Sequence, residues 1–196
     1  MQFDVDRSAT RARWHFTAAA TPAPASAPCN FTPFGGVPWF STRIRLNGAQ
    51  DVVAVMEGSA GDYWRADAHV SVTFGACATA ASGDTLPPDW QPTIKVAVPE
   101  LALAGEVVTV RTVITHPMET GLRLDEFNAY VPLRIIQRFI CTLNGEMVFA
   151  MKLEPAIATN PYLSFRMIAR KSGVLAFERQ DSTGAVFTNT SLLQVT

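Results

Sequence analysis

Three cysteines and three histidines hold most of the nucleophilic and metal-ligating capacity of this chain, and they are not equivalent. Cys77 lies in VSVTFGACATAASGDTLPP, residues 70–88. That stretch opens as a strand, with Val70, Val72 and Phe74 alternating with Ser71 and Thr73, and then carries no bulky side chain across residues 75–83. Gly, Ala, Ser and Thr cannot bury enough apolar surface to hold such a segment in one conformation. The expected structure is therefore a thiol on a flexible arm, residues 77–92, flanked by Gly75, Ala76 and Ala78. No charged residue lies within six positions of Cys77, so nothing local lowers its pKa, and activation would have to come from a partner. An incidental cysteine in a linker is the other reading that these residues allow.

Cys141 shares a strand face with Ile135, Phe139 and Leu143, which is the pattern of a core thiol. Cys29 falls in a Pro-rich stretch, as an exposed thiol or a disulfide partner of Cys77. No cysteine pair has CxxC spacing, and His15, His69 and His116 are far apart, so local spacing argues against a zinc site. His116 sits where a long strand enters a Pro-containing loop. It reads either as an interface or site histidine or as a turn residue hydrogen-bonded to backbone. Arg134 and Arg138 fall on the face opposite Phe139, as on a solvated or partner-facing sheet surface, and Trp39 and Trp90 read as packing anchors. Nucleophile elbow, HExxH, phosphate-cradling Gly loop and EF-hand patterns are all missing. The acidic residues are scattered and form no obvious buried pair, which argues against a self-contained hydrolase or oxidoreductase.

The elements that would position these groups are strands. RARWHFT (11–17), WFSTRIRL (39–46), DVVAVM (51–56) and residues 63–74 supply about four in the first half, interrupted by an Ala- and Pro-rich stretch at 18–38 too proline-rich for a central strand. The second half reads more regularly, through IKVAV (94–98), VVTVRTVITH (107–116), LRIIQRFICTL (133–143), EMVFAMKL (146–153), residues 163–169, and a last hairpin over 174–180 and 186–195. Asn144-Gly145 between two alternating runs is a strong hairpin signal. The expected fold class is all-β, as two immunoglobulin-like β-sandwich units of which the N-terminal one is incomplete. Four strands make a thin sandwich half, so either the first half leans on the second or, the favoured expectation, the chain begins inside a domain whose first strands are missing.

Composition is consistent with this picture. A hydrophobic share of 48% against 17% charged suits a real core, and a net charge of −1 provides no basic footprint for nucleic acid or an anionic membrane. No apolar run is long enough to insert in a membrane, and the N-terminal stretch lacks an apolar h-region, so no export signal is expected within the chain.

The second half resembles SoxZ, the non-carrying subunit of the sulfur-oxidation carrier SoxYZ. The resemblance runs through AGEVVTVRTVITHPMETG (104–121), PLRIIQRFICTLNGEMVF (132–149), LEPAIATNPYLSF (153–165) and SGVLAFERQDSTGAVFT (172–188). The first half is similar to the C-terminal part of SoxY through RARWHFT, STRIRL, VVAVME and YWRADAHVSVTFGAC. The resemblance implies a SoxY-to-SoxZ fusion of the SoxYZ-like type associated with quinoprotein dehydrogenases. Its domains would be a partial SoxY-like unit (1–76), the cysteine-bearing arm (77–92) and a SoxZ-like sandwich (93–196). It further implies a non-enzymatic periplasmic carrier without a cofactor, bearing a covalent sulfur adduct on Cys77. Its partners would be sulfur-oxidation enzymes or a quinoprotein dehydrogenase system, and it could oligomerise. The loop at 116–121, with His116, Pro117, Met118 and Glu119, is the expected docking surface. In SoxY the arm reads Gly-Gly-Cys-Gly-Gly. Here it reads Gly75-Ala76-Cys77-Ala78-Thr79, and the fusion tethers it at both ends.

Overall fold

A computed structural model describes residues 12–18, 28–32, 34–46, 48–58, 61–72 and 90–196. Cys77 and its neighbours Gly75, Ala76 and Ala78 lie outside the described residues. All regular structure among those described is β: β1 (Ala12–Ala18), β2 (Cys29–Phe31), β3 (Phe40–Thr42), β4 (Gln50–Gly58), β5 (Tyr63–Val70), β6 (Ile94–Ala97), β7 (Leu101–Ala102), β8 (Val107–Ile114), β9 (Ile136–Leu143), β10 (Glu146–Lys152), β11 (Tyr162–Ile168), β12 (Gly173–Asp181) and β13 (Val186–Val195). They form a sandwich of two sheets. The larger runs β5-β4-β1-β2-β10-β9-β12-β13-β7, and the smaller β3-β11-β8-β6.

Period-two alternation sets which residues face inward. On β8 the buried positions are Val108, Val110, Thr112 and Ile114, and His116 continues that row into the next loop. On β12 they are Leu175, Phe177, Arg179 and Asp181. The hairpin between β9 and β10 turns at Asn144 (φ 50°) and Gly145 (φ 82°), two positive-φ positions in sequence, as a tight primed turn requires.

The strands of the first half enter both sheets of the second. β2 pairs with β10, with Phe31 opposite Phe149 and Cys29 opposite Met151, while β3 pairs with β11, with Phe40 opposite Phe165. The core follows that seam. Phe149 and Phe165 stack with ring centroids 4.5 Å apart, and Phe31 and Phe40 approach Phe149 at 5.3 and 6.4 Å. Burying each such aromatic is worth about 1.5–3 kcal/mol in area removed from water.

Two expectations need correction. The Pro-rich stretch does contribute a central strand, because β2 is only three residues long and keeps Pro28 just outside the ladder. Cys29 is accordingly fully buried rather than an exposed thiol.

Candidate functional site

The described residues that bracket the cysteine-bearing segment are Val72 and Trp90. Both connect to the loop that follows β8. The Trp90 ring meets the His116 ring edge-on, with centroids 5.9 Å apart, and the Arg134 guanidinium lies 5.1 Å above the same indole. Val72 packs on a small apolar cluster with Ile44, Leu46, Val52 and Val70. Between Ile44 and Leu46, the Arg45 guanidinium donates to the carbonyls of Met118 (2.7 Å) and Pro117 (3.2 Å) and to the Thr159 hydroxyl (2.7 Å).

The loop itself is rigidly held. The amide N–H of His116 donates to Asn160 Oδ1 at 3.0 Å, and the Asn160 N–H donates back to the His116 carbonyl at 2.9 Å. Met118 takes a positive φ of 50° and is fully buried, its sulfur accepting from the Ile136 N–H at 3.2 Å. Glu119 and Arg134 exchange backbone hydrogen bonds of 2.8 and 2.9 Å, and the Glu119 carboxylate accepts from Arg123 Nε at 2.9 Å. Arg134 therefore precedes β9 in a bridge of its own. Its side chain turns onto Trp90 and Asp181 instead of lying on the solvated face that alternation implied. Arg138 does lie on the exposed face, paired with Glu178 at 2.6 Å.

Beneath Trp90 lies a polar pocket that no local spacing in the sequence foretells. His116 Nδ1 accepts from the Met118 N–H at 3.1 Å, which places the proton of the neutral ring on Nε2. That nitrogen is 3.9 Å from Asp181 Oδ2, and Arg134 Nε is 3.8 Å from the same oxygen. None of the three atoms has a hydrogen-bond partner among the described residues. The other carboxylate oxygen of Asp181 is fully engaged, accepting from Thr183 N–H (2.9 Å), the Thr183 hydroxyl (2.6 Å) and Ala185 N–H (3.0 Å) to close the turn between β12 and β13. Burial drives the His116 pKa from 6.5 down to about 4. The Asp181 charge opposes that shift and the Arg134 charge adds to it. At neutral pH the ring is uncharged and inaccessible. With no exposed surface, the ring touches the loop and Trp90 rather than solvent.

Arg179, one inward position before Asp181, is likewise sealed inside. It donates to the Thr112 hydroxyl and to Asn189 Oδ1 (2.9 Å) and lies over the Phe139 ring at 5.2 Å. Burial lowers its pKa to about 10, so it stays charged at neutral pH. The thiols of Cys29 and Cys141 are both buried, and desolvation pushes both well above the ordinary range, which makes them poor nucleophiles. Among the described residues, no cluster of three or more His, Cys, Asp or Glu could hold a metal ion. Trp39, the other expected packing anchor, lies 4.4 Å beneath the Arg166 guanidinium.

Two family models match the chain. Residues 94–191 match the sulphur oxidation protein SoxZ, and residues 2–77 match the sulfur oxidation protein SoxY. Among solved structures, the chain is similar to the superoxide reductase (neelaredoxin) of Ignicoccus hospitalis, at 20% identity with a TM-score of 0.41. Two variants of that protein give TM-scores of 0.42 at 20% and 19% identity, and in each case the match covers 53% of this chain and 80% of the other. No curated protein sequence matches the chain. With the SoxZ model matching half of its length and the SoxY model about three quarters of the rest, the chain belongs to the SoxY and SoxZ families of sulfur-oxidation proteins, joined in a single polypeptide.

Proposed function

We propose that this protein is a covalent carrier of sulfur intermediates that works in the periplasm, with Cys77 as the carrying residue. The observation that supports the reading is that the SoxY match runs as far as Cys77, where the resemblance to SoxY implies a sulfur-bearing cysteine. The burial of the other two thiols supports it, because neither Cys29 nor Cys141 can meet a partner's active site. In loading, the Cys77 thiol loses its proton and its sulfur joins the outer sulfur of thiosulfate in a new S–S bond. The two electrons released pass to an oxidase partner. Downstream sulfur-oxidation enzymes then act on the bound group, and the carrier itself performs no turnover.

The test is intact-mass measurement of the protein after exposure to thiosulfate and a sulfur-oxidising extract. A mass increment that disappears in Cys77→Ser is expected. Failure to form any adduct, with Cys77 reduced and reactive toward a small alkylating agent, overturns the carrier reading. A second reading is an accessory protein of a periplasmic quinoprotein dehydrogenase system with no sulfur cargo. It is favoured by one observation, the retention of a single glycine around Cys77, and it predicts that negative result.

A further inference from the structure

An unpaired sheet edge presents a row of backbone N–H and C=O groups to any extended chain, and proteins usually blunt such edges. Among the described residues the two sheets end in four edge strands. Three are blunted by length: β7 has two residues, β3 three and β6 four. The fourth, β5, has eight. Its register on β4 runs unbroken from Gln50↔Val70 to Glu57↔Tyr63, with no bulge, and YWRADAHV contains no proline, glycine or lysine. Most of the strand is exposed, with Tyr63 at 68% and Trp64 at 46%, and only Ala68 and Val70 are half-buried.

The side chains on this edge are self-complementary. Tyr63, Arg65, Asp67 and His69 share one face, and Trp64, Ala66, Ala68 and Val70 the other. Arg65 and Asp67 have opposite charges, stand two residues apart with Arg65 Nε 3.7 Å from Asp67 Oδ1 along their own strand, and are 68% and 61% exposed, so a partner strand can share or exchange the pair. We propose that β5 is the contact surface for a second copy of this chain, paired antiparallel about a two-fold axis centred on Ala66. In that register Arg65 faces the partner's Asp67 and Asp67 faces the partner's Arg65, two opposite-charge pairs produced by one symmetry operation. Centring the axis on Arg65 or on Asp67 instead sets like charges face to face, so of these three registers only the one centred on Ala66 pairs Arg65 with Asp67. The same register sets Tyr63 against the partner's His69 and Trp64 against the partner's Ala68, a small residue that leaves room for the indole. The Trp64 ring reaches over Gly58 of its own sheet, where a Cβ on Gly58 would fall 2.6 Å from it. At the ends of the contact, Tyr63 is braced by Glu57 (3.3 Å) and His69 by Asp51 (2.8 Å).

Sedimentation velocity of the full chain, run over a concentration series at low salt with reductant present, tests this. A concentration-dependent dimer is expected. D67R and R65D should each raise its dissociation constant by roughly tenfold or more, since each creates two like-charge contacts. The double variant R65D/D67R should restore dimerisation. An equimolar mixture of the two single variants should form a heterodimer, because one then presents two guanidinium groups and the other two carboxylates. All these positions are exposed, so circular dichroism should show unchanged folding. A wild-type chain that stays monomeric at every concentration overturns the proposal. So does a dimer that D67R leaves intact, or single variants that neither the double variant nor mixing rescues.

Discussion

Where Phe31 and Phe40 meet Phe149 and Phe165, the halves of the chain are joined by buried area. Where Arg45 and Trp90 meet the loop at 116–119, they are joined by directed polar contacts over a sealed charge cluster. The aromatic seam is close-packed and unaffected by pH, and it loses stability in proportion to the volume removed. The polar junction buries His116, Asp181 and part of Arg134, with three atoms lacking partners among the described residues, so its strength depends on the protonation state of its members. The difference teaches that the bond between halves and the anchor beside the cysteine-bearing segment can respond to separate conditions. Acid should loosen the anchor while the sandwich persists.

The largest test of that contrast is at the seam. Phe149→Ala should cost about 3–5 kcal/mol in urea-monitored stability, with little change in that loss between pH 5 and 8. A loss below about 1 kcal/mol would mean that the halves are not joined there.

The next is the pH profile of the anchor. His116 has an unfolded-state pKa of 6.5 and a folded value of about 4, so the unfolded chain binds the proton first. Stability is then full above about pH 6.5 and falls as the pH drops toward 4, by up to about 3 kcal/mol. Urea titrations across this range should show the slope in the wild type, and His116→Gln should flatten it whatever its effect on absolute stability. An unchanged slope in the variant would assign the pH dependence to other groups.

The smallest effect belongs to Arg45, which is partly exposed. Arg45→Met strips its donors from the carbonyls of Pro117 and Met118 and should cost about 1–2 kcal/mol. Hydrogen exchange should quicken at residues 116–120 and not in β10 or β11. Equal acceleration in both places would erase the distinction between seam and anchor.

Much of the fold was legible because it depends on neighbours in sequence. Alternation marked β8, β9, β10, β12 and β13 to within a few residues, and Asn144-Gly145 marked its hairpin, since inward facing and positive φ are local properties. Cys141 was legible as a core thiol for the same reason. The polar pocket was not. His116, Arg134 and Asp181 come from three separate strand ends, and alternation reveals which face a side chain takes without naming what lies opposite. Arg179 escaped notice likewise, because an inward arginine differs from an outward one only in what β8 and β13 place beside it.

The all-β character and the membership in the two sulfur-oxidation families are readable from the residues alone, since strand pattern and family blocks are written along the chain. It took the folded chain to set a three-residue strand from a proline-rich stretch in the middle of the large sheet, to seal Cys29, and to hold Trp90 against His116 and Arg134. These facts depend on pairings between residues far apart in the chain. Such pairings form where the total burial and hydrogen bonding of both sheets are best satisfied, which no short window of sequence can express.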